Sequence, residues 1–350
     1  MRIRVAVQSL LLVLTVLVTV PAAVAASPPD ISGLTTARNP LTQEQIGRLQ
    51  EFAGHLAGEI ASGESERMVR ARRRVTDQLR APGISRIFLD EFARAIVPEM
   101  RELIDQDPSI DGSEYIAINA IQIIGLLGNE NSVRPLLDRA DPNRENRVSV
   151  RLWAVNGFRL VMQSGNVSDR RVSGFVRDLH RLAQRETDWM VLMRHFQALA
   201  VIDSELARER QIELLKTVVE RVEEDEVGPS DLMRAVTQGL LLIRDQYTAP
   251  TISASEQTAL GRTLGPLLGR VLSVADLHWD AAKESESARG QYGSAIRVAE
   301  SLLRYVDSHV RSGSSPDAAI EQAWSSGNQS SYRSGVQQWR DVLGRSPYRQ

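Results

Sequence analysis

Three glutamates in the last fifth of the chain are each followed by serine, and they are the side chains best placed to act as acids. These are Glu284, Glu286 and Glu300. A glutamic acid that works with a second carboxylate about 5–10 Å away can cleave a glycosidic bond. An enzyme acting on cell-envelope glycan or peptide is therefore one function that the sequence leaves open.

One acidic segment resembles a calcium loop but lacks its main ligand. Positions 1, 3, 5 and 6 of an EF-hand-like pattern are occupied by Asp107, Ser109, Asp111 and Gly112. Position 12, which must supply a bidentate carboxylate, is Ile118. We interpret the segment as a turn in which Asp111 caps the next helix and Glu114 completes a capping box.

Other metal, nucleophile and nucleotide chemistry has no support in the sequence. The chain has no cysteine, and its five histidines are far apart, without an HExxH pattern. The nucleotide patterns GxGxxG and GxxxxGK[ST] and the hydrolase pattern GxSxG are absent. We expect Trp279 to pack and its neighbour His278 to be half exposed. The sequence predicts no catalytic residue, no metal and no cofactor.

The elements that carry these residues are helices. Apolar residues recur at spacings of three and four in nearly every segment after residue 40, and strand signals are almost absent. Turn sequences such as Ala81-Pro82-Gly83 interrupt the pattern at intervals of about 15–25 residues. The sequence predicts an all-α fold of roughly a dozen helices, with the first three near residues 42–61, 64–80 and 85–106.

Pairs of alanine and an aliphatic residue recur along the second part of the chain. They are Ala120-Ile121, Ala154-Val155, Ala198-Leu199, Ala235-Val236 and Ala295-Ile296. The first three separations, 34, 44 and 37 residues, match two-helix repeats of about 34–47 residues. The last separation, 60 residues, leaves room for an enlarged unit. The alanine lets two helices approach closely, and the aliphatic residue fills the core that they share.

Residues 115–161 contain the clearest repeat. Ala120-Ile121 is followed by Gly125-Leu126-Leu127-Gly128, then by Leu136-Leu137, and Val150-Arg151 leads into Ala154-Val155. This stretch resembles HEAT-type repeats. The resemblance implies an α-solenoid, a HEAT-like helical repeat array with irregular helical ends, and it says little about function because such repeats serve many roles.

The N-terminus has the pattern of a secretory signal. Two arginines precede an apolar run from Leu10 to Val20, followed by Pro21 and small residues that permit cleavage after Ala25 or Ala26. The run is shorter than the roughly 20 residues of a membrane-spanning helix. We therefore expect export to a periplasm or the medium, with no transmembrane segment after cleavage. The predicted organisation is a signal peptide (1–26), a flexible lead (27–40), an N-terminal helical segment (41–112), HEAT-like repeats (113–250) and a C-terminal helical segment (251–350).

Two clusters of charged residues could bind a partner or form ion pairs within the chain. Arg67, Arg70 and Arg74 share one helix face, which suits an acidic partner or anionic lipid, although such faces are commonly only solvated. Acidic residues from Glu220 to Glu226 oppose the dipole at a helix C-terminus, so this end either frays or is neutralised by nearby arginines. The formal charge of −2 gives no electrostatic case for nucleic acid.

Together these features favour a non-enzymatic interaction module or scaffold that binds a protein or peptide. Solenoids present long surfaces suited to such partners. Arg134, Arg147 and Arg151, near the clearest repeat, are the predicted partner-binding residues. The alternatives are the envelope-acting enzyme and a helical cavity for a small apolar ligand, which would form an enclosed pocket of a few hundred Å³.

Overall fold

Fifteen α-helices follow one another through the residues that the computed structural model describes, which are 27–224, 229–311 and 313–349. The helices are α1 Gln43–Ala61, α2 Ser65–Leu79, α3 Arg86–Ile104, α4 Ser113–Leu126, α5 Val133–Arg139, α6 Val148–Gln163, α7 Asp169–Ala183, α8 Trp189–Ala200, α9 Glu205–Glu223, α10 Pro229–Tyr247, α11 Ala254–Leu277, α12 Trp279–Lys283, α13 Glu286–Val310, α14 Ile320–Ser326 and α15 Gln329–Leu343. These residues contain no strand. The predicted all-α, solenoid-like fold is confirmed.

From α4 onward the helices alternate between two layers. Layer A consists of α4, α6, α8, α10 and α13, each packed on the next, and layer B consists of α5, α7, α9, α11 and α15. The layers are joined where α5 packs on α6, α9 on α8 and α10, and α11 on α13. Each unit thus buries its free face against its neighbours, as in helical repeat arrays.

The alanine–aliphatic pairs form the shared core of layer A. The five pairs fall on α4, α6, α8, α10 and α13 in turn, and all ten residues are fully buried. The long last interval holds α11 and α12, which is the enlarged unit that the spacing allowed. The prediction that these pairs lie in a shared helical core is confirmed.

Two glycines lie against each other where α4 packs on α6. A Cβ atom placed on Gly125 of α4 would lie only 2.8 Å from the Cα atom of Gly157 on α6. We expect Gly125→Ala to lower the free energy of unfolding by about 1–3 kcal/mol because the helices must separate. Urea unfolding measures this change.

The matched control for that substitution is Gly54→Ala on α1, where a Cβ atom would meet nothing within 4 Å. The control should stabilise the protein by up to about 1 kcal/mol, since alanine favours the helix. Equal effects of the two substitutions would show that the glycine contact does not limit the approach of α4 to α6.

The N-terminal part agrees with the predicted helix positions but not with a flexible lead. The helices α1, α2 and α3 lie within two residues of the predicted bounds. In the lead, Ile31 and Leu34 are only 1% and 5% exposed, and the Ser85 N–H donates to the Thr35 carbonyl at 2.8 Å. The segment is anchored because its two apolar side chains add to the buried core. The predicted signal peptide, residues 1–26, lies outside the described residues.

The predicted helix cap at Asp111 is wrong. The residue before α4 is Gly112, whose φ of +79° places it in the left-handed region, and no side chain caps the helix there. Glycine adopts this conformation without a Cβ clash, so the chain turns at Gly112 and the helix begins one residue later.

In the described part of the chain, no helix is both long and apolar enough to cross a membrane.

Candidate functional site

A large cleft lies between two neighbouring helices of layer B. It has a volume of about 810 Å³ and separates α9 from α11. The α9 wall consists of Glu205, Arg208, Glu209, Ile212 and Glu213. The α11 wall consists of Ser255, Glu256, Ala259, Leu260 and Thr263. We call this cleft the α9–α11 groove.

The sequence of α9 explains why one face is acidic. Residues 205, 208, 209, 212 and 213 are spaced three and four apart, so they share a single helix face. The opposite face carries Leu214 and Val218, which are fully buried and fix the rotation of the helix. The α9 start is fixed by Ser204, whose hydroxyl accepts from the Ala207 N–H at 3.1 Å.

Arg208 links the two walls of the groove. Of the carboxylates that line the groove, it pairs only with Glu256. Its guanidinium donates to Glu256 of α11 at 2.7 Å and to Asp203 at 2.9 Å. Glu213 pairs with Arg210 on its own helix. Among the described residues, no ion pair involves the exposed side chains of Glu205 or Glu209, so two carboxylates on this wall are uncompensated. The groove is therefore a negatively charged surface.

The groove also has an apolar part. Ile212 is almost fully buried at its base, and Ala259 and Leu260 continue the apolar surface onto α11. The aliphatic stems of arginine and lysine pack well on apolar surface while their charged ends reach carboxylates. The arrangement is chemically suited to a chain segment that carries basic side chains.

The three predicted partner-binding arginines do not share one environment. Arg134 is exposed, and its Nε lies 3.3 Å from Asp138 in a second cleft, of about 230 Å³, between α5 and α7. Arg147 is bound by Glu145 through two hydrogen bonds of 2.8 and 2.7 Å. Arg151 differs from the prediction because its guanidinium points inward and is enclosed, with the residue only 6% exposed.

Arg151 belongs to a buried ion pair with Glu186, which is 0% exposed. Its Nε and Nη2 donate to the two oxygens of Glu186 at 2.7 and 2.9 Å, and Nη1 donates to the Glu145 carbonyl at 3.0 Å. Glu186 also accepts from the N–H groups of Thr187 and Asp188 just before α8. Burial alone would lower the pKa of Arg151, but the hydrogen bonds to Glu186 and the negative charges of Glu186, Asp188 and Glu145 together outweigh burial and raise it. The pair joins α6 to the start of the next repeat.

A buried histidine lies near this pair. His195 on α8 is fully buried, and neither ring nitrogen has a hydrogen-bond partner among the described residues. Burial, together with the smaller effects of the charges of Arg151 and His180, lowers the pKa of His195 to about 3. His195 is therefore neutral in the folded protein. The apolar spacing of α8 placed this residue on the core face, and no local signal showed that it would lack a partner.

The glutamates proposed as acids have different surroundings. Glu300 is mostly buried, and its carboxylate accepts from the N–H groups of Ile320 and Glu321 at 3.2 and 2.7 Å and from Arg304 at 3.0 Å. It holds the first turn of α14, and three hydrogen bonds to its carboxylate already come from the protein itself. Glu284 and Glu286 are exposed beside the start of α13.

Trp279 is buried as predicted, but His278 is only 9% exposed rather than half exposed. The His278 Nε2 lies 2.6 Å from the Val222 carbonyl of α9, which draws the ring into the interior. The described residues contain no group of three or more His, Asp or Glu side chains arranged to hold a metal ion.

Both predicted charge clusters contain ion pairs. Arg270 of α11 donates to Glu220 at 2.8 Å and to Glu223 at 2.6 Å, so two of the acidic residues near the C-terminal end of α9 are paired. Residues 225 and 226 of this cluster lie outside the described residues. On the basic face of α2, the three arginines 67, 70 and 74 pair with glutamates 64, 66 and 59. The paired members of both clusters are therefore less available to partners than Glu205 and Glu209 of the α9–α11 groove.

No protein-family model, curated protein or solved structure matches this chain. Its function is inferred here from the geometry and charge of its own residues.

Proposed function

We propose that the protein is an exported, non-enzymatic interaction module of HEAT-like helical repeats, and that the α9–α11 groove binds a positively charged segment of a protein or peptide partner. The observation that carries the proposal is the groove itself. A cleft of about 810 Å³ combines the uncompensated carboxylates of Glu205 and Glu209 with an apolar base. Export rests on the N-terminal signal pattern, and the repeat type rests on the likeness of residues 115–161 to HEAT-type sequences.

The groove suits a peptide better than an enclosed small molecule. Its volume is within the range of about 300–1,000 Å³ for ligand sites, but its walls are exposed helix faces rather than a closed apolar shell. Complementary charge across such a surface guides association and disfavours wrong partners. The groove thus discriminates against acidic segments as well as favouring basic ones.

The arginine cleft between α5 and α7 is a weaker candidate. Arg134 lies there with Arg144, Arg181 and Arg185, but Asp138, Asp141 and Asp178 line the same cleft. Asp138 pairs with both Arg134 and Arg144, so much of the positive charge is cancelled. Contact of a partner with Arg134 and Arg147 stays a prediction.

Neutralising the groove should weaken capture of a basic peptide. We expect Glu205→Gln/Glu209→Gln to reduce the affinity for a fluorescent peptide carrying three arginines by about three- to tenfold, since each exposed ion pair contributes about 0.2–1 kcal/mol. Fluorescence anisotropy at low salt measures the affinity, and added salt should reduce the difference.

The matched control is Glu51→Gln/Glu102→Gln, which removes the same charge from exposed positions on α1 and α3. This control should bind the peptide like the wild type. An equal loss in both double variants would mean that net charge, and not the groove, attracts the peptide. Unchanged affinity in the groove variant would rule the groove out.

A further inference from the structure

The two layers of the array differ in how closely their helices pack. The helices of layer A pack more extensively on one another than those of layer B do. A Cβ atom on Gly239 of α10 would lie 2.9 Å from the ring of Phe196 on α8, a contact as close as that between Gly125 and Gly157. In layer B, clefts of about 810 and 230 Å³ separate neighbouring helices. The array therefore curves toward layer A, and helical repeat arrays bind partners on such concave surfaces.

Two neighbouring helices in the middle of this concave surface contain no carboxylate. Neither α6, residues 148–163, nor α8, residues 189–200, has an aspartate or a glutamate in its sequence. The side chains that point away from the buried stripe of each helix recur at spacings of three and four, so they form a continuous face. We call this surface the α6–α8 face, and its central residues are Asn156, Arg159, Gln163, Met193, Arg194 and Gln197.

Both arginines of the α6–α8 face are held by amides rather than by carboxylates. Arg159 donates through Nε and Nη2 to the Asn156 side-chain oxygen at 3.2 and 3.0 Å, and through Nη1 to the Gln163 side-chain oxygen at 3.0 Å. Arg194 donates to the Gln197 side-chain oxygen at 2.7 Å. Since an amide has no net charge, these partners leave the positive charge of both arginines in place.

The same hydrogen bonds fix the direction of the amides. The side-chain oxygens of Asn156, Gln163 and Gln197 face the arginines, so their NH2 groups point away. An NH2 group has two donors, and a guanidinium has five donors and no acceptor. The α6–α8 face therefore presents chiefly hydrogen-bond donors and positive charge. The matching ligand group is a carboxylate, whose two oxygens fit the planar guanidinium.

Apolar side chains lie between these polar groups. Met190 is 40% exposed, and Met193 and Leu152 are half-buried. At the edge toward α10, the guanidinium of Arg234 lies 4.7 Å from the centre of the Trp189 ring. Protein–protein interfaces are enriched in methionine, aromatic residues and arginine and depleted in aspartate, glutamate and lysine. The composition of this face is thus that of a protein interface.

A polyanion is a poorer match to the same face. The helix α6 has 16 residues, so it is about 24 Å long. One strand of a DNA duplex carries a phosphate about every 3.4 Å, which would place about seven phosphates along the helix. Arg159 and Arg194 could pair with two of them, and other phosphates would lie against methionine and leucine. A protein segment with few carboxylates leaves no such unmatched charge.

We infer that the α6–α8 face binds a protein segment in which aspartate or glutamate side chains lie among apolar ones. Arg159 and Arg194 each receive a carboxylate, and the NH2 groups of the neighbouring amides donate to the remaining oxygen lone pairs. The apolar side chains of the segment pack on Met193 and its neighbours. This surface belongs to layer A and takes the opposite charge to the α9–α11 groove, so the inference does not rest on that groove.

Three labelled peptides of twelve residues test the chemistry of the partner. The first has four glutamates, four leucines and four serines. The second has glutamine in place of each glutamate, and the third has serine in place of each leucine. We expect the first peptide to bind the purified protein about three- to tenfold more tightly than either of the others, as measured by fluorescence anisotropy at low salt.

Removing the two arginines should weaken binding of the first peptide. In Arg159→Gln/Arg194→Gln its affinity should fall about three- to tenfold, since each exposed ion pair changes an affinity by a factor of about 1.4–5. Circular dichroism should stay unchanged. The matched control is Arg170→Gln/Arg177→Gln, which removes two exposed arginines from α7 in layer B and should bind like the wild type.

Four other outcomes would overturn the inference. An equal loss in both double variants would mean that net charge attracts the peptide. Absent binding of the first peptide, or unchanged affinity in Arg159→Gln/Arg194→Gln, would rule this face out. A polyphosphate chain that binds more tightly and displaces the peptide would assign the face to a polyanion. Self-association of the wild type that is lost in Arg159→Gln/Arg194→Gln, seen by sedimentation velocity, would assign it to a second copy of the chain.

The groove variant keeps this test separate from that of the proposed function. Glu205→Gln/Glu209→Gln alters layer B alone, so it should bind the first peptide at least as tightly as the wild type does. A loss of binding in that variant would contradict the assignment of the acidic segment to layer A.

Discussion

Replacing Arg151 with methionine is expected to lower the free energy of unfolding by about 3–5 kcal/mol, because it leaves a buried carboxylate without its counter-ion. Glu186 is 0% exposed, and Arg151 supplies its only side-chain hydrogen bonds among the described residues, at 2.7 and 2.9 Å. Water cannot reach Glu186 to replace them without opening the junction between α6 and α8. Urea denaturation followed by circular dichroism measures the change.

Two further variants separate the ion pair from general effects of losing an arginine. Arg134→Met removes an exposed arginine and should change stability by less than about 0.5 kcal/mol. Adding Glu186→Gln to Arg151→Met removes the stranded charge and should recover part of the loss. A loss below about 1 kcal/mol in Arg151→Met would mean that solvent compensates Glu186 and that the pair does not hold the repeats together.

The core of the array could be predicted from the sequence because it depends on local spacing. The pairs at Ala120, Ala154 and Ala198 lie one repeat apart, and a residue between two helices must be small whatever the details of the fold. The spacing of apolar residues at three and four, together with the turn sequences, predicted the positions of α1 to α3 to within two residues. The exact start of α4 could not be predicted in the same way, since Gly112 and Asp111 both suit the position before a helix. The backbone φ angle of Gly112 shows which of the two residues precedes the helix.

Arg151 shows how a charged residue in a repeat can be misread. It lies three residues before Ala154 and four before Val155, so the helical spacing places it on the buried stripe of α6. This signal was present in the sequence, but the compensating Glu186 is 35 residues away. That distance is about one repeat, and only the stacking of α6 on α8 brings the two side chains together.

The α9–α11 groove could not be predicted from local sequence patterns, because its two walls come from two helices that are not consecutive in the chain. The spacing of Glu205, Glu209 and Glu213 indicates an exposed acidic face, which is visible in the sequence of α9 alone. In the more obvious acidic run, which begins at Glu220, Arg270 of α11 pairs with Glu220 and Glu223. Whether α11 covers or leaves open the face of α9 depends on how the two helices diverge along their length, and no local pattern encodes this.

Lowering the pH from 7.5 to 5 is expected to cost about 2 kcal/mol of stability through His195 alone. Its pKa is about 3 in the folded protein, against an ordinary value of 6.5. Between these values the unfolded chain binds a proton that the folded protein does not, so stability rises with pH and falls on acidification, by about 1.4 kcal/mol per unit well below 6.5. The pKa of His180 is also lowered by burial, and its effect has the same sign.

The window between pH 5 and 6.5 separates this effect from that of the carboxylates. Hydrogen bonds and arginine charges lower the pKa of Glu145 and Asp307 in spite of their burial, so their contribution to stability is lost only as the pH falls below their ordinary values of 4.5 and 3.8. Urea unfolding of the wild type and His195→Leu at pH 7.5, 6.0 and 5.0 measures the slope, with His309→Gln as a control for replacing an exposed histidine.

His195→Leu should remove most of the slope because leucine has no proton to gain on unfolding, whereas His309→Gln should keep it. Arg151→Met tests the link to the buried ion pair, since Arg151 is one of the two charges that oppose a proton on His195. In Arg151→Met the pKa of His195 should move back toward its ordinary value, and the slope between pH 5 and 6.5 should become shallower. A slope that is the same in the wild type and in His195→Leu would mean that His195 gains its proton without unfolding, through an opening of the contacts among α6, α7 and α8.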